Sequence, residues 1–481
     1  MSEEKKPRVM FGRSEIVSDA KEITRDNVIQ QLNVALVVHL KNQSETRYLY
    51  DYYRGKQFIL EKTKSVRPEI NNLVVENRAN EIVSFKTGYL VGEPIQYVAR
   101  TEDEAENEKI GRLNEYVFAE DKASKDKELA DWMHISGVGY RIVLPDERLI
   151  EREKDDSPFE IYTGDPRTTF VVKRNDLARR PLFSVLINNK VDGTTRYYVY
   201  TDTKYFEIEG DMIWVEAPNP LGAIPVIEYP ANTARLGAFE IVLTLLDALN
   251  NVDSNALDDI EQTVQSLLLL RNVDIDNEKF AALREQGAIK VTDADPTMPA
   301  EVKYISSRLG VSETKQEADR IYESILTICG MPNRNGGRST SDTGAAVIMR
   351  DGWSAAEARA KDTEAMFKQS EKQALKLMLE ILKTADDLDL RLADIDIRFT
   401  RRNYENTKEK AEVLKMMLDG GKIAPLLAFT HSGMFSDPQV AYKMSEDYIN
   451  GQNRNAPEEN DTTDGEDTGE GQFGRDQASQ G

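Results

Sequence analysis

The 481-residue chain holds one cysteine, three histidines and three tryptophans. Cys329 alone cannot form an intrachain disulfide, and its helical spacing from Ala318, Ile321 and Ile325 makes it a core thiol. His39, His134 and His431 are far apart, and none has a partner at metal-ligand spacing, so packing outweighs catalysis as their role. No apolar stretch approaches a membrane span; the longest pure leucine run is Leu267 to Leu270. The opening residues, MSEEKKPRVM, lack an apolar signal core, so no secretory leader is expected. Cations are outnumbered: 62 Lys and Arg against 84 Asp and Glu give a formal net charge of −22. That balance argues against a simple electrostatic nucleic-acid binder, whose affinity comes from clustered Lys and Arg. It leaves room for a wall that nucleic acid passes without being gripped. No internal repeat is seen. The expectation is a soluble protein of several subdomains, made in a reducing compartment.

What the chain does have is helical periodicity between Gly237 and Thr384. Val242, Leu246, Leu249, Ala256, Ile260, Val264 and Leu267 recur in steps of three and four, predicting one helix of more than about thirty residues. Val311, Ala318, Ile321, Ile325 and Cys329 predict a second, stopped by Gly330-Met331-Pro332. Phe367, Ala374, Met378 and Ile381 predict a third, from Trp353 to Leu382. Between the first two, Asp274 to Ser306 reads as a small α/β insertion: a helix at 277–286, a strand AIKV, a turn and a strand VKYI.

Residues 1–20 read as polar and loose. Helices are expected at 26–40, 45–53 and 72–87, the last stopped by Gly88 and turned by Gly92-Glu93-Pro94 into a short strand. Two amphipathic helices follow, at 104–118 and 125–136. From Gly137 the period changes to two. The runs YRIVLP, FEIYT, TTFVVK, LFSVLINN, RYYVYT, KYFEIE, MIWVEAP and IPVIEYP predict an antiparallel β region, with hairpin turns at Asp192-Gly193 and Gly210-Asp211. DIDIRFTR (394–401) is a strand expected to return to that β region, and three short helices lead to Ile449. From Gly451 onward eight acids stand against two arginines, and the composition predicts disorder.

The chemistry-bearing motifs are few. Gly336-Gly337-Arg338-Ser339-Thr340 resembles a phosphate loop, but Pro332 takes the first glycine's place, Arg338 replaces the lysine and a helix precedes it. A plain loop is the better reading. Asp258-Asp259 and Asp386-Asp387 suit solvated faces and caps better than a metal site. The run Tyr48, Tyr50, Tyr52, Tyr53 lacks interleaved cations, so packing outweighs base stacking. No catalytic set, cofactor or metal is expected. The rival readings are a cytosolic α/β enzyme with a helical lid and a helical scaffold or interaction protein. No nucleophile–base set supports the former.

Three segments carry a resemblance: NRANEIVSFKTGYLVGEPIQY (77–97), LGAIPVIEYPAN (221–232) with DALNNVDSNALDDIE (247–261), and Thr343-Gly344-Ala345-Ala346 opening a long helix. In this order and spacing they resemble the portal proteins of long-tailed double-stranded DNA phages, the type found in phages of Gram-positive bacteria. The resemblance implies an α+β portal fold. The wing would be 1–236, a helical N-terminal part and an antiparallel β part, and the stem helices 237–273 and 307–330. The clip would be 274–306, the tunnel loop 331–352, a kinked long helix 353–384, a wing return strand 385–402, and a helical crown 403–450. An acidic tail would occupy 451–481. It further implies a ring of about twelve subunits at one capsid vertex of the virion, synthesised in the host cytoplasm, with no membrane contact. Double-stranded DNA would pass through it, and the terminase large subunit, head-completion or adaptor proteins, and the major capsid and scaffolding proteins would dock on it. Arg334, Asn335, Arg338, Ser339 and Ser341 would form the DNA-channel loop.

Overall fold

The computed structural model describes residues 10–100, 103–146, 156–264, 267–271, 301–305, 311–333, 344–401, 407–432, 434–435 and 438–454. The chain divides into one unit through Arg402 and a second from Asn403. The first unit opens with β1 (Ile16–Ser18), α1 (Val28–Tyr53), α2 (Arg78–Val91), β2 (Gln96–Ala99), α3 (Glu104–Ala119) and α4 (Lys122–Ser136). The strands β3 (Val138–Pro145), β4 (Phe159–Gly164), β5 (Thr169–Arg174), β6 (Pro181–Asn189), β7 (Thr195–Tyr200), β8 (Lys204–Glu209), β9 (Met212–Pro218) and β10 (Val226–Pro230) follow. Then come α5 (Leu243–Val264), β11 (Leu267–Arg271), β12 (Glu301–Ile305), α6 (Val311–Cys329), α7 (Gly344–Asp386) and β13 (Ile395–Arg398). The second unit holds α8 (Thr407–Asp419), α9 (Pro425–Ser432) and α10 (Pro438–Arg454), with Phe429 stacked on Phe435 and edge-on to Tyr442.

All eight period-two runs are strands, but they form two sheets. One has the order β1-β5-β6-β7-β8-β9 and the other β10-β3-β4. Alternation places Phe170, Val172, Phe183, Val185, Val199, Phe206 and Ile208 in a core closed by Val28, Leu32 and Ala35 of α1. A second core gathers Phe367, Ala374, Met378 and Leu382 of α7 with Leu113, Leu129, Phe159 and Tyr229. A third joins Leu49, Tyr52 and Ile82 to Leu246 and Leu249 of α5 and Ile321 and Ile325 of α6. Gly137, at φ +82, makes the turn between α4 and β3, and a Cβ there would lie 2.1 Å from the Arg235 carbonyl oxygen.

Several expectations are corrected. The first long helix ends at Val264 after 22 residues, about 33 Å. Leu267 to Arg271 instead pair with Glu301–Ile305 as an antiparallel ladder, because an unbroken apolar run suits a strand as well as a helix face. Residues 10–20 are not loose: Ile16–Ser18 pair in parallel with Val172–Arg174, and Arg13 is buried against Glu45 and Glu240. The two expected helices at 26–40 and 45–53 are one, since the buried Asn42 bonds both backbone groups of Ser14 rather than breaking the helix. Asn72 to Asn77 are not helical; Asn77 caps α2, which runs from Arg78 through Gly88 to Val91. The strand Ile395–Arg398 returns to β2, not to either large sheet. The third long helix starts at Gly344, so 344–352 of the expected loop are helical. Gly451 does not begin an irregular tail, because α10 continues to Arg454; one glycine costs only about 1 kcal/mol in a helix, and the first proline is Pro457. The helix 277–286, the strand AIKV and residues 455–481 lie outside the described residues.

Candidate functional site

The region singled out by the sequence is the connection between α6 and α7. Arg334, Asn335, Arg338, Ser339 and Ser341 lie outside the described residues, as does the glycine pair; the described flanks are the end of α6 and the start of α7.

The α6 flank is anchored by its own end. Gly330, at φ +66, donates its N–H to the Thr327 carbonyl at 3.1 Å, and Met331 donates to Leu326 at 2.8 Å. Cys329 is buried, its Sγ 3.7 Å from the Ala238 carbonyl oxygen, and burial pushes the thiol pKa up to about 11. Pro332 then crosses α7 at Gly352, where a Cβ would stand 3.1 Å from the Pro332 Cα. Gly352 lies eight positions beyond Gly344, so the first two turns of α7 project about 12 Å past that crossing.

The α7 flank is held along its length. Trp353 forms a triangle with Phe85 and Tyr89 of α2, with ring centroids 5.8 to 6.0 Å apart. Tyr89 donates to Glu357 at 2.8 Å, and Glu357 also receives Arg401 at 2.8 Å. Further along, Glu371 is fully buried among charges. It accepts from Lys122 at 2.9 Å and from Tyr229 at 2.6 Å, and also from Tyr97. Lys122 reaches Asp126 at 2.7 Å, and Arg141 pairs with the same carboxylate. Burial raises the Glu371 pKa, but Lys122, Arg141 and the two tyrosines more than offset it and bring the value down to about 2. Two cations and two anions thus balance inside the core and tie α7 to α4, β2, β3 and β10.

On α5, the polar residues Asp247, Asn250, Ser254 and Asp258 form one buried stripe. Tyr52 donates to Asp247 at 2.9 Å. The backbone N–H groups of Glu76, Val74 and Asn72 donate in turn to Asn250 at 2.9 Å, Ser254 at 3.0 Å and Asp258 at 2.6 Å. Alternate N–H groups of an extended chain are about 6.7 Å apart, and four helical residues rise about 6 Å, so an antiparallel strap fits the stripe. Asp258 also takes Lys62 at 3.2 Å and Lys64. Despite desolvation, these donors hold its pKa well below the usual carboxylate range.

The remaining candidates resolve as packing. His39 stacks on Phe170 at 4.3 Å, and burial lowers its pKa to about 4. His134 Nδ1 is 3.0 Å from Thr87 Oγ1, and burial lowers its pKa to about 3. Tyr50 stacks on Trp132 at 5.1 Å, with the Arg167 guanidinium over both rings. Asp386 accepts from Tyr116 at 2.7 Å. Among the described residues no cluster of His, Cys, Asp and Glu could hold a metal ion, and no helix is long and apolar enough to cross a membrane. Sequence reasoning missed the strap and the Glu371 network. The i, i+3, i+7, i+11 spacing of Asp247, Asn250, Ser254 and Asp258 was the available signal for the first.

The family described as phage portal protein, SPP1 Gp6-like, matches residues 38–454. No curated protein matches the chain.

Proposed function

The chain belongs to the SPP1 Gp6-like family of phage portal proteins, and from that premise we propose how its parts serve a DNA channel. A phage portal protein is a component of the capsid that acts in DNA packaging, and the family is structural rather than enzymatic. In our reading the chain forms a closed ring of about a dozen copies at one vertex of the virion. DNA moves through the ring, the terminase large subunit docks on it during packaging, and head-completion proteins dock afterwards. The major capsid and scaffolding proteins surround it. Residues 1–236 with the return strand would be the wing, α5 and α6 the stem, 274–306 the clip, and 403–450 the crown. Arg334, Asn335, Arg338, Ser339 and Ser341 would face DNA from the loop whose flanks are Pro332 and α7.

One observation supports assembly most directly. The apolar stripe of α5 begins buried at Leu246 and Leu249 and ends exposed at Leu257 (45 %) and Ile260 (51 %). The early part of α6, SETKQEADR, offers no large apolar side chain to cover them. A second copy of the chain would supply that cover. Negative-stain electron microscopy and light scattering of the purified protein test it. Rings are expected for the native chain, and smaller species for Leu257→Asp with Ile260→Asp. Monomer alone across micromolar concentrations and several salt levels overturns the reading.

A further inference from the structure

A small pocket lies where α2, the C-terminal turn of α6 and α7 meet. It has a volume of about 80 Å³, and Lys86, His134, Asn232, Gly330, Arg359 and Thr363 line it. At about 15 Å³ per water it holds a handful of waters, far less than the roughly 300 Å³ at which sites for nucleotides or drug-sized ligands begin.

Its charges are unbalanced. No carboxylate lines it; Lys86 faces the Arg359 guanidinium, the Cys329 thiol and the His134 imidazole. Lys86 is half-buried, and desolvation pushes its amine below the ordinary lysine value. The Arg359 side chain folds across Gly330, where a Cβ would come within 2.8 Å of Arg359 Cγ. Neither cation joins an ion pair among the described residues.

The pocket's other polar groups cannot supply the missing charge. His134 stays a neutral imidazole at pH 7, with Nδ1 engaged by Thr87. Asn232 spends its side-chain amide on the backbone of Leu236, at 2.8 and 3.1 Å. The end of α6 offers only a partial negative charge, and its Leu326 and Thr327 carbonyls are already taken by Met331 and Gly330. No residue lining the pocket supplies a negative charge to the two cations.

We propose that Lys86 and Arg359 together bind one small tetrahedral oxyanion, inorganic phosphate or sulfate. An arginine fork matches two oxygens of such an ion, and a lysine supplies a compact third contact. The bound ion joins α2 and α7 at the turn where the chain leaves α6.

The test is equilibrium dialysis of the full-length protein against radiolabelled inorganic phosphate at fixed ionic strength. The expected result is saturable binding of one phosphate per chain, displaced by sulfate. Binding should weaken at least tenfold in Arg359→Gln, an exposed position whose replacement leaves the fold intact, and in Lys86→Met. Absence of saturable binding, or equal binding by Arg359→Gln, overturns the proposal. Displacement of the label by a short DNA duplex but not by sulfate overturns it as well, because the pocket would then belong to backbone phosphates.

Discussion

The backbone N–H of Asn72 donates to Asp258 Oδ1 at 2.6 Å, joining residues 186 positions apart. This contact fixes one end of the strap on α5, and Lys62 and Lys64 close around the same carboxylate.

Asp258→Ala leaves the part-buried Asn72 N–H unpaired and removes the anion between Lys62 and Lys64. A loss of about 1–2 kcal/mol is expected, the low end of the cost of an unmet donor and a broken charge-assisted bond, because these groups keep some access to water. Chemical denaturation reads the loss, and limited proteolysis should cut first between residues 62 and 77. The acid dependence follows from the depressed pKa. The contribution is complete above the unfolded value near about 4 and disappears as pH falls below it. The difference between native protein and Asp258→Ala should therefore shrink below about pH 4.

Glu371→Gln removes one of two anions from a core that keeps Lys122 and Arg141. Breaking one partner of a buried ion pair typically costs about 3–5 kcal/mol, so a large fall in Tm is expected. Lys122→Met with Glu371→Leu should cost less than the sum of the two single changes, because no lone charge remains. With its pKa lowered to about 2, Glu371 stabilises the fold above its unfolded value and loses that effect as pH falls towards 2. A strictly additive cycle would show that the network contributes no coupling.

Asp253 behaves in the opposite sense. Burial and the neighbouring Glu76 raise its pKa to about 6, so the folded state binds a proton more tightly than the unfolded chain. Stability contributed by that proton is present below about pH 4 and lost as pH rises through 6. Asp253→Asn should leave stability near pH 4 unchanged and raise it at pH 8, by about 1 kcal/mol once solvent screening of this half-exposed group is counted. Denaturation midpoints at the two pH values decide the matter, and a mutant less stable than the native chain at pH 8 contradicts it.

The loop arginines form the last prediction. If Arg334 and Arg338 face DNA as proposed, Arg334→Ala with Arg338→Ala should leave rings and procapsids intact, because truncating a solvent-facing side chain seldom changes stability by more than about 0.5 kcal/mol. On the proposed ring, the length of packaged or retained DNA should fall, since about a dozen copies of each arginine would lose their phosphate contacts. Normal packaging would show that these cations do no essential work on DNA, and lost rings would assign them to contacts between subunits.

Local pattern sufficed wherever one face of an element decides its partner. The alternation in FEIYT and TTFVVK buries Phe159, Ile161, Phe170 and Val172 whichever strand lies beside them. Gly330 and Gly137 marked helix ends because each takes a positive φ. The stop at Gly330-Met331-Pro332 marked the end of α6, but the start of α7 at Gly344 came nine residues before the helical pattern read from Trp353.

The sequence by itself determined the two periods, the helix ends at Gly137 and Gly330, the acidic balance and, through the order of its segments, the portal family. The tertiary structure decided what those patterns leave undetermined. NLVVEN has helical spacing, yet it stays outside any helix because Asn250, Ser254 and Asp258 satisfy alternate N–H groups of it from another helix. Leu267 to Leu270 continue a helical stripe, yet they pair with 302–305. Arg13, Lys122 and Glu371 look like surface charges, yet each is buried beside an opposite charge brought from far along the chain. In every case the deciding partner is distant in sequence. A backbone donor or a buried charge must be satisfied somewhere, but the local pattern does not say by whom.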